Sequence, residues 1–160
     1  QVELYIPPKK GKPHILRIIR ELIEFKPVNK KTDINVPLQF LSNILKNRAI
    51  VFLMSDFISD DYSNSLRIIS SKHDITGIRV YDKSEITIPN LGLVQLMDNE
   101  ENKMKLVYTG SKKVRKNYEK YYQNRIQLFG ENFKKAGAGI IECSTEDSYQ
   151  KKLLRYFRNR

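Results

Sequence analysis

The sequence has little of the chemistry on which small metalloproteins and many hydrolases depend. Its 160 residues include one cysteine, Cys143, two histidines, His14 and His73, and no tryptophan. A single cysteine excludes an intrachain disulfide framework and a multi-cysteine zinc site, and it is typical of a reducing compartment. Two histidines leave little material for histidine-based catalysis or metal binding.

Long hydrophobic runs are also missing. The longest, residues 49–54, is far shorter than the ~20 residues that span a bilayer. Residues 1–8 have neither the basic nor the apolar region of a signal peptide. Hydrophobic residues make up 40% of the chain and charged residues 29%, which favours a globular protein over a disordered one. We therefore expect a single cytoplasmic domain over residues 1–160.

Positive charge is abundant and lies mainly in the last part of the sequence. The formal net charge is +11, and residues 1–100 carry 14 basic and 12 acidic groups whereas residues 101–160 carry 15 and 6. Such an excess can bind nucleic acid, an acidic lipid surface or an acidic protein, or it can be an ordinary solvated helix face. No nucleic-acid-binding motif accompanies the charge, so nucleic acid is the less expected partner. The candidate partner-binding residues are Lys112, Lys113, Arg115, Lys116 and Lys120.

Hydrophobic periodicity alternates between strand and helix patterns along the chain. The run Ile50–Met54 is continuously apolar and partly β-branched, which is typical of a central parallel strand buried on both faces. A helix pattern that begins after Asp60 or Asp61 and ends at Lys72 separates it from a second strand over Asp74–Tyr81. This order predicts a strand–helix–strand unit. Further strands are predicted over residues 2–6, 92–97, 104–109 and 138–143, and further helices over residues 14–25, 35–45, 111–136 and 146–158.

Capping residues support these boundaries. Ser111 precedes the long basic helix 111–135, and Gly137 is a suitable residue to follow it. Ser144 or Thr145 could cap the last helix, which would place Glu146 and Asp147 in its first turn. The two alternating segments around the polar turn 98–102 predict a β-hairpin within an insertion over residues 86–110. The fold class is therefore α/β, with a mainly parallel sheet and a β-hairpin insertion.

Several blocks, taken in order, resemble the C-terminal part of a bacterial family of unknown function. Members of that family resemble von Willebrand factor A domains and are typically encoded beside MoxR-type AAA+ ATPases. The resemblance covers nearly the whole chain. The blocks that carry it are Tyr5-Ile6-Pro7-Pro8, Thr32-Asp33-Ile34, Ser55-Asp56-Phe57, Lys72-His73-Asp74-Ile75, residues 140–145 and Leu153-Leu154-Arg155-Tyr156-Phe157.

The resemblance implies a three-layer Rossmann-like sheet with a metal-ion-dependent adhesion site at the carboxyl end of its strands. In such domains an Asp-x-Ser-x-Ser loop, a Thr from a second loop and an Asp from a third hold Mg²⁺. By position, Thr32 matches the second-loop Thr and Asp56 the third-loop Asp. A carboxylate directly after a buried parallel strand also lies where open α/β sheets bind ligands, although Asp56 could equally be a loop-bracing or capping residue.

The first metal-binding loop is absent from this sequence, together with the first central strand that would precede it. The stretch Asp61-Tyr62-Ser63-Asn64-Ser65 fits the letters, but it enters a predicted helix, so Asp61 is interpreted as a helix cap. Thr32 and Asp56 alone are too few ligands, so we expect a degenerate site, no tight Mg²⁺ binding and no cofactor in this chain. Mg²⁺ remains possible in a longer protein of which this chain would be a fragment.

These features predict a non-enzymatic protein-interaction module. We expect an adaptor that docks a MoxR-type AAA+ ATPase, or a client of that ATPase, through the carboxyl end of the sheet. The alternative is binding of nucleic acid or an acidic partner by the basic helix 111–135. A Mg²⁺-dependent hydrolase is less expected, because the sequence has no nucleophile elbow and no phosphate-binding loop. An unpaired edge at Ile50–Met54 would also favour a homodimer or a strand swap.

Overall fold

The computed structural model describes residues 1–28, 32–98 and 103–159. These ranges contain both strands and helices, and a short 3-10 helix, Lys83–Glu85, follows the second strand. None of the helices in the described part of the chain is long and apolar enough to cross a membrane. The elements are α1 (Lys12–Glu24), α2 (Asn35–Ile44), β1 (Ile50–Ser55), α3 (Ser63–Ser70), β2 (Asp74–Tyr81), β3 (Leu93–Asp98), β4 (Lys103–Tyr108), α4 (Lys112–Lys135), β5 (Gly139–Ser144) and α5 (Tyr149–Arg158).

The main sheet consists of three parallel strands in the order β1-β2-β5. β1 is aligned with β2 so that Ile50 lies beside Asp74, and β2 is aligned with β5 so that Thr76 lies beside Gly139. The predicted strand–helix–strand unit β1–α3–β2 is confirmed. β3 and β4 form the predicted antiparallel hairpin as a separate two-stranded sheet, although residues 99–102 of its turn lie outside the described residues.

The core lies between one face of the sheet and α2, α3 and α4. Leu66 and Ile69 of α3 are fully buried there, as the spacing of apolar residues predicts. Phe133 of α4 packs directly onto Gly77, because a strand residue without a side chain leaves room for the ring. Ser111 caps α4 through its hydroxyl, and Gly137 follows the helix with a positive φ of 66°, as predicted.

Helix α5 lies on the opposite face of the sheet. Tyr156 forms a hydrogen bond with Thr76, and the ring of Phe157 meets the ring of Phe52 edge-on at 5.9 Å. Helices therefore lie on both faces of a mainly parallel sheet. β1 itself is at the edge, with Ile50 65% and Met54 66% exposed, so the expectation of a strand buried on both faces is wrong for this structure.

Two predicted elements differ in the structure. Residues 2–6 form no strand, because Glu3 accepts a hydrogen bond from the Val28 N–H and Tyr5 packs against Phe40 instead of pairing with a sheet. The last helix begins at Tyr149, later than predicted. The Asp147 carboxylate accepts a hydrogen bond from the Ser144 N–H, which holds these residues in a turn before the helix.

Candidate functional site: the paired loops at the carboxyl end of β1

Asp56 lies where β1 ends, and the backbone turns sharply there. Phe57 has a φ of 59°, a left-handed conformation that is uncommon for a large side chain. Its ring is buried and stacks on Phe129 at 4.3 Å between ring centroids. The burial of this ring offsets the cost of the backbone conformation. As a result Phe57 points into the core while Asp56 stays exposed at the carboxyl end of the sheet.

The carboxylate of Asp56 is held by one of its two oxygens. Oδ1 accepts hydrogen bonds from the Ile58 N–H at 3.1 Å and from the Ser55 hydroxyl at 3.2 Å. The same hydroxyl oxygen accepts from the Phe57 N–H at 3.1 Å. Within the described part of the chain Oδ2 has no hydrogen-bond partner. The arrangement orients an exposed carboxylate with one free oxygen, which suits recognition of a cationic or hydrogen-bond-donating group.

The segment that contains Thr32 is fastened to the loop that contains Asp56. The Ser59 hydroxyl donates to the Thr32 carbonyl at 3.2 Å and accepts from the Ile34 N–H at 3.4 Å. The Asn35 side chain adds a second connection, since it donates to the Asp61 carbonyl at 2.9 Å. We call residues 32–35 and 55–62 the paired loops. The structure thus brings the two predicted site residues to one end of the sheet.

A third element, α4, contacts the paired loops through Arg125. Its guanidinium donates to the Ser59 carbonyl at 2.8 Å and lies 5.3 Å from the centre of the Tyr121 ring. A cavity of about 320 Å³ opens beside it, between the loop and α4. Burial raises the pKa of Tyr62, which lines this cavity, to about 12. The phenol is therefore neutral at physiological pH.

Helix α3 begins at Ser63 with Tyr62 as its N-cap, so the expectation that Asp61 caps this helix is wrong by one residue. Asp61 Oδ1 accepts a hydrogen bond from the Ser63 N–H at 2.9 Å, which lowers the pKa of this carboxyl. The Ser65 hydroxyl donates to the side chain of Asn35 at 2.7 Å. The Asp61 carboxylate and the Ser65 hydroxyl therefore make hydrogen bonds within the protein.

A complete magnesium shell does not fit the paired loops as described. Among residues 1–28, 32–98 and 103–159, no group of three or more His, Cys, Asp or Glu side chains could hold a metal ion. The carbonyl of Thr32 accepts a bond from Ser59, and one oxygen of Asp56 is already used. A hard divalent cation needs about six oxygen ligands, and among the described residues Asp56 contributes one carboxylate oxygen that makes no hydrogen bond.

The basic side chains near the start of α4 are of two kinds, exposed and half-buried. Lys112, Lys113, Lys116 and Lys120 are exposed. Arg115 is half-buried, and its guanidinium donates to the carbonyls of Thr109 and Gly110, so it fastens the hairpin to α4. Lys112 and Lys113 lie in the first turn of α4, where positive charge opposes the helix dipole, whereas Lys116 and Lys120 lie in the following turns.

Ser59, Arg79 and Arg125 make contacts that were not predicted from the sequence. Arg125 follows Tyr122 by three residues and therefore shares the inward face of α4. This helical spacing in the sequence could have identified Arg125. Arg79 is only 3% exposed, donates to the Tyr122 hydroxyl at 2.8 Å and lies 4.2 Å from the centre of the Tyr81 ring. No local pattern identifies Ser59, because its partners are 25 and 27 residues away in the sequence.

Comparison with known proteins gives relatives without an assigned activity. The family model described as "Protein of unknown function DUF58" matches residues 1–127. The uncharacterized protein Rv1480 of Mycobacterium tuberculosis is 26% identical over 98 residues, which are 59% of this chain and 31% of that protein. The uncharacterized protein MAV169 of Mycobacterium avium is 22% identical over 135 residues, 84% of this chain and 79% of that protein. The match thus spans about a third of Rv1480. No solved structure matches the chain.

Proposed function

The chain belongs to DUF58, a family of proteins of unknown function, and on that premise we propose that it is a non-enzymatic module that docks a protein partner through the paired loops. The observation that carries the proposal is the geometry of Asp56. Its side chain is exposed at the carboxyl end of a parallel strand, and one oxygen is fixed while the other is free among the described residues. Open α/β sheets bind their ligands at this end.

The proposal extends to the type of fold and to the partner. We propose that the β1-β2-β5 sheet is the second half of a von Willebrand factor A-like sheet, because its strands are parallel and helices lie on both faces. The partner we propose is a MoxR-type AAA+ ATPase or a client of such an ATPase. Hydrogen bonds from Ser59 and Asn35 already connect the paired loops, and this reduces the entropy that would be lost by ordering them when a partner binds.

The carboxylate of Asp56 offers a direct test of the docking surface. The purified chain is titrated with a MoxR-type ATPase, and the dissociation constant is measured by biolayer interferometry. Asp56→Ala should weaken binding by about tenfold or more, as expected for loss of a charged hydrogen bond. Asp60→Ala is the matched control, because Asp60 is an exposed carboxylate of the same loop. Equal effects of the two substitutions, or none, would contradict the proposal.

The exposed lysines of α4 support a second candidate function, binding of an acidic protein or a nucleic acid. Lys112 and Lys113 lie in the first turn of the helix, where positive charge is unfavourable for the helix itself. Binding through this surface should weaken steeply with salt. Replacement of Lys112, Lys116 and Lys120 by alanine should abolish the salt dependence and leave the effect of Asp56→Ala unchanged. A binding constant that does not vary with salt would eliminate this function.

A further inference from the structure

The hairpin formed by β3 and β4 has one apolar face that is exposed to solvent. Residues that lie opposite each other in an antiparallel pair of strands share a face of the sheet. Three such pairs alternate along this hairpin on one side, which we call the hairpin face: Leu93 with Tyr108, Gln95 with Leu106, and Met97 with Met104. The exposed fraction of the apolar members ranges from 52% at Met97 to 69% at Leu106. The described part of the chain therefore leaves the hairpin face uncovered.

The base of the hairpin is held by residues on both sides of it. Thr109 is fully buried, and its N–H and its hydroxyl donate to the Gly92 carbonyl at 2.7 and 2.8 Å. Arg115 of α4 donates to the carbonyls of Thr109 and Gly110. Contacts among the described residues thus set the position of the hairpin. Because the hairpin is already held in place, a partner loses little entropy in ordering it.

The hairpin face is large enough to form a stable interface. A two-stranded sheet is only marginally stable in water unless a face packs against another layer. The five apolar side chains expose on the order of 650 Å², more than the few hundred Å² that monomeric proteins usually leave in one patch. Two such faces packed together would bury about 1,300 Å², within the roughly 1,200–2,000 Å² of specific protein interfaces.

We propose that the hairpin face packs against the hairpin face of a second copy of this chain, about a two-fold axis that crosses the strands at Gln95 and Leu106. Each β3 then lies over β3 of the second copy and runs in the opposite direction, and Leu93 lies over Met97. The two hairpins form a sandwich with about 10 Å between the sheets. This inference goes beyond the proposed docking function and does not rest on it, because the hairpin face does not include Asp56.

Gln95 selects this arrangement, because it is the one amide among five apolar or aromatic side chains. A glutamine amide carries both a donor and an acceptor, so two amides that meet at the axis satisfy each other. A shift by two residues would place Gln95 over Leu93 or Met97, and an axis parallel to the strands would place it over Leu106. Each alternative buries an amide without a hydrogen-bond partner, which is unfavourable. A single buried amide fixes the register of coiled coils in the same way.

The first test measures the mass of the chain in solution. Light scattering coupled to size exclusion, without an ATPase, should give twice the 18.8 kDa monomer at concentrations of about 100 μM. Leu106→Lys should give a monomer, because two lysines would meet at the axis. Leu96→Lys is the matched control, since Leu96 is 39% exposed on the opposite face of the same hairpin. This variant should remain dimeric.

The second test places charges at the axis. Gln95→Glu and Gln95→Lys should each raise the dimer dissociation constant by about tenfold or more, because like charges meet. An equimolar mixture of the two variants should restore the dimer, since a carboxylate then meets an ammonium group. Failure of the mixture to dimerise, with each variant folded, would show that Gln95 does not meet its own copy.

The third test fixes the register with a short bismaleimide cross-linker. Leu93→Cys and Met97→Cys should each give no covalent dimer alone, because the axis at Gln95 separates the two copies of either residue. A mixture of the two variants should give a covalent dimer, since Leu93 lies over Met97. The native Cys143 is buried and does not compete.

Several outcomes would overturn the proposal. These are a monomer at every concentration, a dimer that survives Leu106→Lys, a dimer that Leu96→Lys disrupts equally, and cross-linking within either single-cysteine variant. A hairpin face that only a different polypeptide covers would also overturn it. Because no ATPase is present in any of these experiments, failure of this proposal is distinguishable from failure of the proposed docking function.

Discussion

Gly77 lies in the middle strand of the sheet, directly beneath the ring of Phe133. A Cβ atom at this position would lie 2.4 Å from Cε1 of that ring, closer than any van der Waals contact allows. Phe133 is itself held by Phe57 and Phe129, at 5.2 and 4.8 Å between ring centroids. The ring therefore cannot move away without disturbing the cluster that supports Asp56.

We expect Gly77→Ala to destabilise the protein by about 1–3 kcal/mol through overpacking. Gly130→Ala is the matched control, because Gly130 lies inside α4 with nothing within 4 Å of the added Cβ. It should stabilise the protein by about 0.5–1 kcal/mol through better helix propensity. Urea unfolding of the two variants measures both effects, and equal free energies of unfolding would contradict this view of the core.

Because Tyr62 is buried, we expect the protein to lose stability at high pH. Its folded-state pKa is about 12, raised mainly by burial, whereas an unfolded tyrosine titrates near pH 10. The contribution of the neutral Tyr62 phenol to the free energy of unfolding is complete below pH 10. It is lost as the pH rises toward 12, and the loss amounts to about 2–3 kcal/mol. Tyr62→Phe should lack this part of the decline. The test is to measure the free energy of unfolding of the unmodified protein and of Tyr62→Phe from pH 9 to pH 12. Parallel pH curves for the two proteins would contradict this role of Tyr62.

The donor set around Asp56 predicts weak binding of Mg²⁺. The described residues supply one free carboxylate oxygen at this site, too few ligands to replace much of the hydration shell of the ion. Calorimetric titration of the chain with MgCl₂ should therefore give no measurable heat of binding at micromolar concentrations. A micromolar dissociation constant that Asp56→Ala abolishes would show that the paired loops hold a metal after all.

The paired loops are an element that depends on contacts distant in sequence. Ser59 contacts the backbone on both sides of Asp33 through a single hydroxyl, while Arg125 holds its carbonyl from α4. Three segments of the chain therefore meet at one residue. The position of Asp56 relative to Thr32 is fixed by this junction and not by either loop alone.

Ser59→Ala should loosen the paired loops. Loss of its two hydrogen bonds should cost about 1–2 kcal/mol of stability and should accelerate amide exchange at residues 32–35. Ser70→Ala is the matched control, since the Ser70 hydroxyl is buried without a hydrogen-bond partner among the described residues. Its removal should leave stability unchanged or slightly raised. Hydrogen exchange that is equally fast in both variants would contradict the assigned role of Ser59.

At the level of elements, periodicity predicted most of the fold. β2 and the bounds of α4 follow from it closely, because apolar spacing and the caps Ser111 and Gly137 agree. The error at α5 arose because Asp147 bonds to Ser144 before the helix begins. Residues 2–6 were misinterpreted because a strand pattern does not reveal whether a pairing edge is available.

For the molecule as a whole, the position of Asp56 at the end of a strand could be predicted from the sequence. The contacts that hold the candidate site together could not. Asp56 follows from its place after an apolar strand, whereas the Ser59 junction spans three segments and depends on tertiary structure. β1 was expected to be a central strand, whereas it lies at the edge of the described sheet. An apolar run has the same appearance in a central and in an edge strand.

Docking of a partner at the paired loops can be detected by a hydrogen-exchange footprint. The exchange of backbone amides is measured by mass spectrometry for the free chain and for the chain with a saturating MoxR-type ATPase. We expect slower exchange at residues 32–35 and 55–62, with residues 112–135 unchanged. Protection confined to residues 112–135, or no protection at all with a bound partner, would contradict it.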